Sequence, residues 1–294
     1  MTPLKQQDPK EQYPKPPFDE PKQTPPGLEK QMKTQPDYGE NSYVGSGKLE
    51  GRAAIVTGSD SGIGRAVALA FAREGADVLI SYFNENEDAQ ETVRLVHSAG
   101  RRAIAVAGDI TQEAHCQALV QQAQSEFGHL DLLVNNAAFQ MPRQKITEVP
   151  SDEWDHTFKT NIYAMFYLCK AALPVMRPGG AIINTASIEG YQPDSMLLAY
   201  ATTKGAIVNF TKALAEGAMQ SGIRVNAVAP GPVWTPLIPS TMPPDQVKTF
   251  GEQTLLKRPA QPAELAPLYA FLASQEASYI TGMIYGITGG DPIG

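Results

Sequence analysis

Short apolar runs and stretches of helical periodicity alternate along most of this chain. Ala53–Thr57 is apolar and leads into a glycine, and residues 63–73 then repeat apolar positions at helical spacing up to Gly75. The same alternation gives a strand at Asp77–Tyr82, a polar helix over 87–99 stopped by Gly100, and a strand at Ala103–Ala107 followed by Asp109. A helix at Glu113–Phe127 ends at Gly128, and a fourth strand covers 132–134. Ser151 has the chemistry of a helix N-cap, with Asp152 and Glu153 in the first turn. The helix behind it is expected to carry Trp154, Phe158, Ile162, Met165, Phe166 and Cys169 on one face. Further strands are expected over 180–184, 224–229 and 283–287, and helices over 199–219 and 263–273. Strands alternating with helices predict a parallel sheet covered on both faces. Right-handed crossovers make it a doubly wound, Rossmann-like α/β sheet. No internal repeat is visible.

Residues 1–47 break this pattern. Pro3, Pro9, Pro14, Pro16, Pro17, Pro21, Pro25, Pro26 and Pro36 stand among charges and glutamines. Such a segment cannot bury enough apolar area to fold alone, and its prolines keep it extended. Two readings stay open. It is a disordered tail, or it is an arm laid over the body or a neighbouring subunit and anchored by Tyr13, Phe18, Leu28, Tyr38 and Tyr43. Its prolines lack the basic PxxP context of an SH3-type ligand. The expected organisation is this Pro-rich arm or tail, 1–47, and one folded domain, 48–294.

Composition narrows the function. The 294 residues are 42% hydrophobic and 19% charged, enough for one large α/β domain or two small ones. A formal charge of −7 argues against nucleic acid and anionic membrane as partners. There is no run of 18 apolar residues to span a bilayer, and no apolar core of a secretory signal at the start. Cys116 and Cys169 fall in helical patterns and are expected to be reduced, which fits a cytoplasmic protein. His97, His115, His129 and His156 show no metal-ligand spacing and are expected at the surface.

The first strand runs into Thr57-Gly58-Ser-Asp60-Ser61-Gly62-Ile63-Gly64 and then a helix. Glycines there allow a tight turn and let the backbone approach a pyrophosphate, while the helix N-terminus offers free N–H groups and a positive dipole end. Glycine-rich strand ends also occur as plain turns. Farther on, Tyr200 and Lys204 stand at i and i+4, with Ser187 ahead of them. Residues so spaced share a helix face, and a cationic lysine is expected to lower a neighbouring phenol's pKa from about 10. A lone pair of this spacing is most often solvated helix surface.

Taken together, these pieces resemble the short-chain dehydrogenase/reductase family over about residues 48–294. That family combines a Thr-Gly-x-x-x-Gly-x-Gly turn, an Asn-Asn-Ala-Gly segment, an asparagine, a serine, Tyr-x-x-x-Lys and a Pro-Gly. Here these are Thr57 to Gly64, Asn135-Asn136-Ala137, Asn161, Ser187, Tyr200 with Lys204, and Pro230-Gly231, in that order. Ala138 departs from the usual glycine. The Pro-rich arm and the Gly-Ser-Asp-Ser-Gly-Ile-Gly turn resemble a bacterial branch with an extended N-terminus.

The resemblance implies a sheet of about seven strands in the order 3-2-1-4-5-6-7. It implies hydride transfer between a nicotinamide cofactor and a small carbonyl or alcohol, with Tyr200 as acid or base. Ser187 would bind the substrate oxygen, Lys204 would hold the cofactor ribose, and Asn161 would hold a relay water. Asp109 and Ile110 would flank the adenine, Asn135 would steady the sheet beside the cofactor, and Val233 and Thr235 would touch the nicotinamide amide. Plainer roles exist: Asp109 as a helix cap, Asn135 as a turn residue, Ser187 as a turn cap, Asn161 as a satisfied interior amide. A homodimer or homotetramer built on the helices of Asn161 and Tyr200 is also implied.

A ribose 2′-OH favours a carboxylate partner and a 2′-phosphate a basic one. After strand two the chain reads Ser81-Tyr82-Phe83-Asn84, which carries neither the aspartate nor the arginine of the family's two types. Asp60 is the nearest carboxylate, so the sequence leans to NAD, with NADP open. Phe139, Met141, Ile188, Tyr191, Trp234, Leu237 and Met242 are candidates for an apolar substrate wall, and the long segment 230–259 for a lid. The competing reading is a cofactor-binding regulatory or scaffold protein without turnover. An intact Asn161, Ser187, Tyr200 and Lys204 set argues against it.

Overall fold

The computed structural model describes residues 6–293; Met1, Pro3 and Gly294 of the expected segments lie outside them. Seven parallel strands form one sheet, β1 Ala53–Thr57, β2 Asp77–Tyr82, β3 Ala103–Ala107, β4 Leu130–Asn135, β5 Met176–Thr185, β6 Arg224–Pro230 and β7 Ile284–Ile287. Their order is β3-β2-β1-β4-β5-β6-β7, the order expected of a doubly wound Rossmann-like sheet. The helices are α1 Gly62–Arg73, α2 Asn86–Ser98, α3 Glu113–Phe127, α4 Ser151–Phe158, α5 Ala164–Ala172, α6 Leu198–Met219, α7 Leu237–Thr241, α8 Pro244–Lys248 and α9 Pro262–Ala273.

β1 is buried along its whole length, which explains why it reads as a continuous apolar run. Successive side chains still point to opposite faces. Ala54 and Val56 join a core under α1 and α9 with Val67, Phe71, Leu265 and Tyr269. Ala53 and Ile55 join a second core with Leu119 of α3, Leu168 of α5 and Ile207 of α6. Helices therefore cover both faces, and the strand C-termini form one open edge.

Two expectations about α4 and α5 change. Ser151 is the first helical residue and Pro150, in extended conformation, is the cap, a one-residue shift of the boundary. The expected continuous helix is interrupted by a π turn at Lys159–Tyr163. The wider turn shifts the side-chain register. Met165 and Cys169 stay buried, while Trp154 and Phe166 turn outward, 37% and 45% exposed.

The arm runs across the body. Phe18 stacks on Trp234 with ring centroids 4.0 Å apart, and the Trp234 indole N–H donates to the Thr34 carbonyl at 2.8 Å. Tyr13 lies under the Arg258 guanidinium and Tyr38 under that of Arg65. The Tyr43 hydroxyl donates to Glu74, and Arg73 caps the Gly39 and Tyr43 carbonyls.

Candidate active site

The strand C-termini open into a cleft of about 730 Å³, within the range of small-molecule sites. At one end is the turn between β1 and α1. Gly58 and Gly62 take φ of +58° and +52°, which a side chain resists, and a Cβ on Gly58 would lie 2.9 Å from the Ala137 backbone. A Cβ on Gly64 would lie 2.0 Å from the Gly58 carbonyl oxygen. The turn is thus a bare-backbone cradle at the N-terminus of α1, suited to a phosphate. Gly58, Asp60, Ser61, Gly62 and Ile63 line the cleft; Gly64 instead packs beneath the turn.

Beside the turn, at the end of β2, Asp60, Ser81, Tyr82 and Glu85 line the wall. Asp60 is buried next to Glu85, and burial first, then the Glu85 charge, push its carboxyl up to about 7. The Ser81 hydroxyl and Glu85 Oε1 are buried and have no protein partner, as expected of groups awaiting a ligand. No arginine lines the cleft among the described residues. The Tyr82 hydroxyl donates to Asn86. Asp109 and Ile110, beyond β3, continue the wall; Asp109 also accepts from the Thr111 N–H at 2.9 Å.

Asn135 does not reach this cleft. It is buried below it, where its amide donates to Asn184 Oδ1 at 2.9 Å and ties β4 to β5. Ala137 does line the cleft, and the Thr57 hydroxyl fixes it by accepting from the Asn136 and Ala137 N–H groups at 2.9 and 3.0 Å. Pro230, ending β6, and Gly231, Val233 and Thr235 after it form the opposite side.

Ser187, Tyr200 and Lys204 meet at the other end of the same cleft. Ser187 follows β5, and its hydroxyl accepts from the Glu189 N–H at 3.1 Å, so it caps a short turn and faces the cleft together. The same hydroxyl lies beside the Tyr200 phenol and favours its ionised form. Lys204 is buried one turn along α6, its Nζ 5.2 Å from the Tyr200 ring centre and donating to the Thr185 carbonyl at 2.7 Å. Burial pushes the ammonium down to about 7. It also raises the phenol, against the lowering influence of Ser187. The expected lowering of the Tyr200 pKa by Lys204 is therefore not what this geometry gives. Lys204 is shut away from water and Tyr200 is half-buried in the cleft wall, and burial is the largest influence on each.

Asn161 sits in the π turn, fully inside the protein. Its Oδ1 accepts from the Phe139 N–H at 2.8 Å, and its Nδ2 donates to the Phe139 carbonyl and to Thr203 at 2.9 and 3.0 Å. Thr203 in turn donates to the Tyr200 carbonyl at 2.7 Å. Oδ1 keeps one lone pair.

Of the expected substrate wall, Phe139, Ile188, Leu237 and Met242 line the cleft. Met141, Tyr191 and Trp234 do not. Trp234 is drawn into the interior by the arm's Phe18, and Tyr191 packs on the core beside α6. His156, expected at the surface only, stands at the rim with its ring edge-on to Phe139. The arm adds Pro25, Pro26 and Gly27, for which proline content alone gave no signal. Among the described residues no cluster of His, Cys, Asp or Glu suits a metal, and no helix is long and apolar enough to cross a membrane.

A family model described as enoyl-(acyl carrier protein) reductase matches residues 57–291. The uncharacterized oxidoreductase YhdF of Bacillus subtilis is 50% identical over 265 residues, 90% of this chain and 92% of that protein. The NADPH-dependent aldehyde reductase 1, chloroplastic, of Arabidopsis thaliana is 43% identical over 272 residues, 90% of this chain and 94% of the other. A crystal structure of a short chain dehydrogenase from Burkholderia cenocepacia in complex with NADP superposes with a TM-score of 0.78 at 32% identity, covering 83% of this chain and 98% of that one.

Proposed function

The chain belongs to the short-chain dehydrogenase/reductase family of oxidoreductases, and from that premise we propose that it reduces small aldehydes or ketones with a nicotinamide dinucleotide, Tyr200 giving the proton. One observation carries this: the bare-backbone turn and the Ser187, Tyr200 and Lys204 set line a single continuous cleft. When bound, the dinucleotide supplies the hydride.

The residues fit such a group. Gly58, Ser61, Gly62 and Ile63 would line the pyrophosphate's place, the Gly62 N–H itself being held by Glu29, with Gly64 closing the turn beneath. Asp60, Ser81 and Glu85 offer acceptors to a ribose diol, and Tyr82 covers it. Asp109 and Ile110 flank the adenine. Val233 and Thr235, with Pro230, Gly231 and Ala137, hold the nicotinamide end. Asn135 acts from below by joining β4 to β5. Acidic acceptors and the lack of a lining arginine support NAD over NADP. The Arabidopsis protein is named NADPH-dependent and the Burkholderia structure is in complex with NADP, so the cofactor is a direct point of test.

Raised by burial, Tyr200 stays a phenol across neutral pH, the form that donates to a carbonyl oxygen. Ser187 donates to the same oxygen as charge builds on it. Lys204, pushed down to about 7 by burial, gives up a proton readily near neutrality and resupplies Tyr200. Asn161 holds Phe139 and, through Thr203, the Tyr200 backbone, and its free lone pair takes a relay water. Phe139, Ile188, Leu237 and Met242 give an apolar wall that favours an uncharged substrate.

Outward-facing Trp154, Tyr163 and Phe166 support a homodimer or homotetramer through α4 and α5. Free, buried Cys116 and Cys169 support a reducing compartment such as the cytoplasm. The test is a screen of aldehydes and ketones with NADH and NADPH. The expected result is dinucleotide oxidation that depends on the carbonyl. Tight dinucleotide binding with no turnover across a broad panel would sink the reading in favour of a silent binding protein.

A further inference from the structure

Glu29, in the Pro-rich arm, is buried against the phosphate-binding turn, 33 residues away in sequence. Its Oε2 accepts from the Gly62 N–H at 3.0 Å, and its Oε1 pairs with the Arg65 guanidinium. Its own N–H donates to Asp88 Oδ2 at 2.8 Å, which ties it to α2. Arg65 in turn donates to the Asp60 carbonyl through Nε and Nη2 at 2.9 and 2.6 Å. The two residues on either side of Ser61 are therefore both fixed from behind by one carboxylate, Gly62 directly and Asp60 through Arg65. The same pairing consumes the one arginine of the turn, which a 2′-phosphate would otherwise attract.

The arm then connects this turn to the segment across the cleft. Pro25, Pro26 and Gly27 line the cleft wall. The Pro26 carbonyl accepts from the Ser240 hydroxyl at 3.2 Å, and the Pro239 carbonyl accepts from the Gln23 N–H at 3.1 Å. Gly27 has φ +89°, and a Cβ there would lie 2.7 Å from the Pro236 carbonyl oxygen. A charged group this deep is costly to bury unless paired, so chance packing is a poor account of it.

We propose that the N-terminal arm is a working part of the dinucleotide site, in which Glu29 positions the phosphate-binding turn and residues 25–27 hold that turn and α7 together across the cleft. This rests on the dinucleotide reading above and goes beyond it, since the arm lies outside the family-matched residues 57–291. Glu29 is a positioning residue. It acts on the backbone that meets the phosphates.

The test measures binding apart from turnover. NAD is titrated calorimetrically into the full-length protein and into Glu29→Ala, Glu29→Gln and Gly27→Ala, with melting temperature and circular dichroism as fold controls. Lys33→Ala, which breaks a surface ion pair with Asp19, is the control within the arm. Glu29→Ala should weaken NAD at least about tenfold, Glu29→Gln by less because it keeps an acceptor for Gly62, and Gly27→Ala about fivefold or more, while Lys33→Ala changes nothing. In the assay the loss should appear in the KM for dinucleotide, with kcat at saturation kept within about twofold. If Glu29→Ala does not fold, Glu29→Gln and Gly27→Ala decide. Variants that melt lower but bind NAD as tightly as wild type would reduce the arm to a structural strap and overturn the proposal alone. Failure of the wild type to bind either dinucleotide would overturn the functional reading with it.

Discussion

The Nζ of Lys204 donates to the Thr185 carbonyl at 2.7 Å, and this bond, more than the neighbouring phenol, fixes where the lysine sits. Thr185 ends β5 and Lys204 lies on α6, so the contact pins the helix to the strand edge at the cleft. Its hydroxyl also bonds the Tyr269 hydroxyl at 2.8 Å, so the anchor reaches α9 on the other face of the sheet. Tyr200 and Lys204 are therefore held by the core rather than by each other.

Lys204 should leave a signature in stability against pH. Its folded pKa is depressed to about 7 from 10.5. Between those values the unfolded chain binds the extra proton, so stability rises with pH across that window. Lys204→Met should abolish that rise, seen as melting temperature against pH, and should lower carbonyl reduction by about 10²- to 10⁴-fold. An unchanged pH slope would contradict the buried, depressed ammonium.

Asp60 predicts the opposite sign. Its folded pKa is raised to about 7 from 3.8, so the folded state binds the extra proton between them and stability falls as pH climbs through that window. Asp60→Asn, neutral throughout, should match wild type near pH 4 and exceed it at pH 8, by at most roughly 4 kcal/mol. Denaturant midpoints at the two pH values measure this.

Glycines separate by position. Gly64→Ala places a Cβ 2.0 Å from the Gly58 carbonyl and should cost dinucleotide affinity at least about a hundredfold or prevent folding. Gly217→Ala, in α6 with nothing within 4 Å, should stabilise by about 0.5–1 kcal/mol. Thermal melts and NAD titration of the pair distinguish a turn that needs bare backbone from an ordinary helical glycine.

Cofactor choice follows from the β2 end. With Asp60, Ser81 and Glu85 on the wall and Arg65 paired to Glu29, kcat/KM with NADH should exceed that with NADPH by about tenfold or more. Equal or reversed values would mean that the carboxylates turn away from the ribose.

Much of this was legible in the chain. Buried parallel strands read as apolar runs, as at Ala53–Thr57, and the glycine turn and the Tyr200, Lys204 spacing are local patterns. What escaped depends on distant partners. The π turn at Lys159–Tyr163 has no compositional mark, so the apolar spacing from Trp154 to Cys169 reads as one unbroken helix face. Trp234 was expected in the substrate wall, but Phe18, more than 200 residues earlier, holds it in the interior. The direction of the Tyr200 shift needed its burial, which spacing does not give.

The most direct test of the account is Tyr200→Phe, assayed for carbonyl reduction with NAD affinity measured alongside. The variant removes one hydroxyl and leaves Ser187, Lys204 and the turn in place. Turnover should fall by about 10²- to 10⁴-fold with NAD binding kept within about twofold. Turnover close to wild type, with a carbonyl that the wild type reduces well, would show that the proton comes from elsewhere.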